Sequence, residues 1–240
     1  MKWIVILLIV IVTGAIGAYW YDGYSAESAL LKQPVYHVIR KYEPQLFDKI
    51  VEEFKVFQRN ESSRETFVNF ANYEISLAAT QHLAHASQEA VLALVGDMVA
   101  TAHTLEKAPG DSCFRYWFPQ VAGPPDVAKY IQASAQAHTL ELMGEVIRSS
   151  VENPVPLPKP EDVKDNLANV INATYQQYGT DAQMIAHAED ERVDRGKVCT
   201  ITTSVYDRIL KLPAPQSSAL IRSMTQVRLK PAADLSSAPD

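Results

Sequence analysis

Residues Trp3 to Tyr21 carry no charged side chain, and Trp3–Val12 is an unbroken apolar run. As a helix the stretch reaches about 28 Å at 1.5 Å per residue, close to the ~30 Å hydrocarbon core of a bilayer. Lys2 and the α-amino group precede it and Asp22 follows. The positive flank belongs in the cytoplasm, so everything after about residue 22 is expected across the membrane. Trp3 at one end and Tyr19-Trp20-Tyr21 at the other read as interfacial anchors of an uncleaved, single-pass helix. The competing reading is a cleaved signal peptide, for which Ala15-Ile16-Gly17 supplies small residues. Both readings export the bulk of the chain. The expected location is the inner membrane, with the bulk facing the periplasm if the source is bacterial.

An oxidising compartment gives the cysteines a meaning. Cys113 and Cys199 are the only two, so they are expected to bridge. The loop they close is long enough for about 4–5 kcal/mol of chain-entropy stabilisation, a model-dependent figure. Two buried free thiols are the alternative. No CxxC or Cys/His cluster suggests redox chemistry or structural zinc. With 47% hydrophobic residues the chain is too apolar to be disordered. A net charge of −6 argues against nucleic acid as a partner.

Periodicity beyond the anchor is helical. The one strand-like run, Val198–Thr203, is short. Pro44 opens an amphipathic helix with Leu46, Phe47, Ile50, Val51, Phe54 and Phe57 on one face. Ser62-Ser-Arg-Glu65 reads as a capping box, opening one long helix to about Lys107. Phe70, Leu77, Ala84, Val91, Met98 and Leu105 recur along it every seven residues. Further helices are expected from near Pro125 to Val151, from Glu161 to Arg192 with a break at Gly179, over 198–211, and from Ser217 or Ser218 to Leu229. The proline-rich stretch 153–160 is a connector. The expected fold is all-α: a multi-helix bundle preceded by one N-terminal transmembrane helix. Its parts are the anchor at 1–22, a stalk and first bundle helix at 23–60, the bundle at 61–230, and a disordered tail at 231–240.

Three groups of side chains invite chemistry. His82, His85 and Glu89 share a face if one helix carries them, and could hold a divalent transition metal. His138, Glu141 and Glu145 form a weaker set of the same kind. Phe114, Arg115, Tyr116, Trp117 and Phe118 follow Cys113 directly and have hot-spot composition, which suggests a stapled partner-binding loop. Asp181, Glu189, Asp190, Glu191 and Asp194 form an acidic stretch, read as a charged helix end or a docking face for a basic partner or cation. Arg208, Lys211, Arg222, Arg228 and Lys230 make the C-terminal helix basic, as a solvated face or a contact for anionic headgroups. GxSxG, Walker and GxGxxG motifs are absent from the sequence.

These readings favour a non-enzymatic interaction protein with no cofactor, an inhibitor, immunity or assembly factor. Its partners are another envelope or exported protein and, through the N-terminal helix, the membrane. The oligomeric state is left open. The alternatives are a small-ligand or metal-binding bundle and an envelope hydrolase using the His/Glu set as acid and base.

Overall fold

A computed structural model describes residues 26–229, with side chains to Thr225. Every regular element among the described residues is helical. The anchor expected at Trp3–Tyr21 and the tail at 231–240 lie outside them. No helix among the described residues is long and apolar enough to cross a membrane. The chain divides after Leu77 into two compact units.

In the first unit, residues 26–30 are helical, followed by α1 (Pro34–Tyr42), α2 (Pro44–Gln58) and the start of α3 (Arg64–His82). Pro44 stands in the first turn of α2, where its missing N–H leaves no donor unsatisfied. The cap of α3 is Ser63, one residue later than the expected box: its Oγ accepts from Thr66 N at 3.0 Å. Val35, Tyr36 and Ile39 of α1 are buried, as are Phe47, Ile50 and Val51 of α2 and Phe67, Ala71 and Ile75 of α3. Phe54, Phe57 and Phe67 pack with ring centroids 5.0–6.0 Å apart. Lys49 Nζ meets Glu74 Oε1 at 2.7 Å.

The second unit is built around α4 (Gln88–Glu106), whose apolar residues Val91, Leu94, Val95, Val99 and Leu105 are buried on a broad face. Four helices pack on it: α5 (Ser112–Trp117), α7 (Ala133–Glu152), α9 (Arg195–Leu210) and α10 (Ala214–Leu229). Between them lie α6 (Pro119–Ala122), a 3₁₀ turn at Val127–Lys129, α8 (Pro160–Tyr178) and a 3₁₀ segment at Gly179–His187. Helix α8 packs on α9 and α10. Val198–Thr203 lies wholly inside α9. The helix expected from Pro125 starts only at Ala133.

The long helix expected over 62–107 is two helices. α3 ends at His82, a 3₁₀ turn covers Leu83–His85, and α4 restarts at Gln88. Ser87 causes the restart: it is extended (φ −61°, ψ 155°) and its side chain accepts from Ala90 N. A serine that caps a new helix competes with continuing the old one. The seven-residue stripe breaks accordingly. Ala84, Val91 and Leu105 are buried, while Leu77 is 43% exposed.

Candidate functional site

The bridge expected between the two cysteines is present, linking α5 to α9 with Cα atoms 5.8 Å apart. It reverses the reading of the aromatic segment beside it. Phe114, Trp117 and Phe118 are 1%, 8% and 7% exposed, so these rings are core. Trp117 Nε1 donates to Thr203 Oγ1 at 3.0 Å, and its indole stacks on Tyr206 with centroids 4.7 Å apart. Phe114 stacks on Phe118, and the Arg195 guanidinium lies over the Phe114 ring. Arg115 donates to the carbonyls of Gly123 and Pro124, holding a turn in which Gly123 has φ +73°. The Tyr116 hydroxyl is pushed above its ordinary pKa by desolvation and then by Asp97. Of the expected docking loop, residues 114–117 thus lie in α5 and Phe118 caps it, with Phe114, Trp117 and Phe118 turned inward. The bond draws α5 onto α9, and the rings find their apolar surroundings there.

The His82, His85 and Glu89 set loses its shared face where α3 ends. Ser150 Oγ donates to Ile147 O and accepts from His82 Nδ1 at 2.6 Å. His85 Nδ1 donates to Val155 O at 3.2 Å, and Val155 N returns a bond to His85 O at 2.9 Å. Glu89 lies exposed in the first turn of α4. Their ligand atoms do not gather. Among the described residues, the one His/Cys/Asp/Glu trio with ligand atoms within 4.8 Å of one another is Glu106, Cys113 and Cys199, whose sulfurs are joined. His138 and Glu141 are exposed, and Glu145 pairs with Arg148 at 2.6 Å.

Both histidines belong to a polar node that ties the 82–87 break to the end of α7, through His82, and to the proline-rich connector, through His85. Arg222 closes it from α10. It is 6% exposed, donates Nε to Ala84 O at 2.9 Å, and gives Nη2 to the carbonyls of Val155 and Pro156. Burial pulls its pKa below the usual guanidinium range. This arginine therefore does not belong to a solvated basic face. Arg222→Met should cost about 2–3 kcal/mol, because buried carbonyls lose charged donors. Lysine should not restore the loss, since it cannot present the planar fork. Urea unfolding of the three proteins checks both statements.

His103 is a second clasp, between α4 and α9. Its Nδ1 meets Glu106 Oε2 and its Nε2 meets Asp207 Oδ2, both at 3.0 Å. The Glu106 hydrogen bond, helped by the charge of Asp207, raises its pKa. A raised value means the stabilisation is fully present below the unfolded histidine pKa of about 6.5 and is lost as pH climbs through the folded value. The side chain is 46% exposed, so solvent screening holds the effect to a few tenths of a kcal/mol. The gap in urea midpoint between wild type and His103→Gln should be widest below the unfolded histidine pKa of about 6.5 and should close as pH climbs through the raised folded value.

Within the acidic stretch, Asp181 and Asp190 are paired with basic neighbours. Asp190 chelates Arg192 at 2.8 and 3.1 Å, which holds its carboxyl far below the usual range. Asp181 pairs with Lys197 at 2.8 Å, and Asp194 caps α9. A shallow cleft of about 460 Å³ lies here, lined by Met184, His187, Asp190 and Arg192 among others, all from the 180–193 segment.

Among the described residues the exposed large hydrophobics are Tyr73, Leu77, Val151 and Leu157, and three more that fall together on one helix, α8. Helix α8 buries Val163, Val170 and Thr174, yet Leu167, Ile171 and Tyr175 stand 38%, 44% and 42% exposed beside them. At 100° per residue these three span about 80° of the circumference, one continuous strip. Residues 166–180 contain no Asp, Glu, Lys, Arg or His; asparagines and glutamines border the strip instead. An apolar, aromatic patch depleted of charge has interface composition. The clue was present in the sequence as two adjacent apolar rows, wider together than one buried face needs. Comparison with protein-family models, with curated proteins and with solved structures gave no match.

Proposed function

We propose that this chain is a non-catalytic interaction protein of the cell envelope, held by Trp3–Tyr21 in the inner membrane with its helical bulk on the periplasmic side. It acts by receiving another protein chain of that compartment on the α8 strip. The observation that carries this reading is the exposed row Leu167, Ile171 and Tyr175 on a helix stretch, 166–178, without a charged residue. The Cys113–Cys199 bond supports the compartment, because such bonds persist where thiols oxidise. Inhibition of an exported protein, immunity against one, and assistance in envelope assembly are the roles such a docking face serves.

A photoreactive amino acid placed at Ile171 of the full-length chain in cells tests it. A discrete adduct should form, its second chain identified by mass spectrometry, and should disappear when Leu167→Asp is added. The same probe at Asn169, about 160° around the helix, should give no adduct. Equal adducts from both positions, or none from Ile171, would contradict the proposal.

A further inference from the structure

The α8 strip has a layout that selects its partner. Leu167 and Tyr175 lie four residues before and after Ile171, and all three are exposed. A two-fold axis through Ile171 therefore maps the strip onto itself, with Leu167 over the partner's Tyr175 and Ile171 over the partner's Ile171. That is the self-complementarity an isologous contact needs. Charge points the same way. Lys164 lies seven residues before Ile171, about two turns away on the same face, and is exposed. Its symmetry mate, seven residues after, is Tyr178, which is half-buried. Antiparallel pairing sets each ammonium against the partner's tyrosine ring, an attractive contact. Parallel pairing would set lysine against lysine. Between these ends the one charged side chain is Asp165, about 120° around the helix from Ile171 and so off the strip that meets a second copy.

We infer that α8 pairs antiparallel with α8 of a second copy of this chain, about a two-fold axis at Ile171. This rests on the docking reading above and names its partner. The pairing helix spans about 21 Å from Lys164 to Tyr178. A single helix pair of that length falls at the small end of specific interfaces, below about 1,200 Å², so the dimer is weak in dilute solution. Tethering in one membrane raises the effective concentration that holds it together.

Cysteine substitutions in the full-length chain, oxidised in native membranes, read the register directly. Ile171→Cys should form a disulfide-linked dimer. Leu167→Cys and Tyr175→Cys should each stay monomeric alone and form a mixed dimer when co-expressed. Asn169→Cys should give none. Thiol counting after denaturation confirms in each variant that Cys113 and Cys199 remain paired. Equal dimer from all four positions, or a dimer from Leu167→Cys alone, would overturn the antiparallel register. If Ile171 cross-links only to a different protein, the second copy is excluded while the docking reading stands. If Ile171 forms no adduct of any kind, both fall.

Discussion

Replacing both Cys113 and Cys199 by alanine should lower stability by about 4–5 kcal/mol, which is roughly 10–20 °C in Tm for a chain of this size. The bond joins residues 86 apart. Severing it returns a large loop entropy to the unfolded chain while the folded helices keep their other contacts. The double variant is the right one, since a single replacement leaves a lone thiol free to pair wrongly. Wild-type protein treated with a dithiol reductant should unfold at nearly the midpoint of the double variant. A midpoint unchanged by either treatment would mean that the unfolded chain is already compact around α5 and α9.

Trp117→Ala should cost about 3–5 kcal/mol, the usual range for emptying a buried aromatic site. The indole is 8% exposed, stacked on Tyr206, and bonded to Thr203. Trp117→Phe keeps a ring against Tyr206 and loses the N–H donor, so it should cost only about 1–2 kcal/mol. Thr203 also bonds the Cys199 carbonyl, so Trp117 and the bridge share a neighbour. Their effects should not add, and a double-mutant cycle will show coupling. Below its unfolding temperature, Trp117→Ala should still form the Ile171 adducts. A stable Trp117→Ala that loses every adduct would restore the aromatic segment as the docking surface.

Some of this molecule was legible in the residues themselves. Helical periodicity, Pro44 opening α2, the break at Gly179 and the pairing of the only two cysteines follow from local rules and from counting. The errors came where tertiary burial decides. Phe114, Trp117 and Phe118 have the composition of a hot spot and equally of a satellite core, and only the position of α9 distinguishes them. His82 and His85 kept their spacing, but Ser87 begins a new helix between them and Glu89, so an argument built on helical spacing lost its helix. Arg222 reads as surface charge because its partners are backbone carbonyls of the 82–87 break and the connector, which no side-chain pattern reveals. The exposure of the α8 strip is not legible in the sequence, because Leu167 and Ile171 look like core residues there. Their meaning lies in the second row, Val163 and Val170, having already filled the buried face.

The proposed role places function on a surface rather than in a cavity, and on the side of a membrane where thiols oxidise. Thiol trapping of the full-length protein in its native membrane tests that placement most directly. Denaturation in a maleimide without reductant should leave both sulfurs unlabelled, and prior reduction should add two labels. Two labels without reductant would contradict the bond, the compartment and the envelope role together.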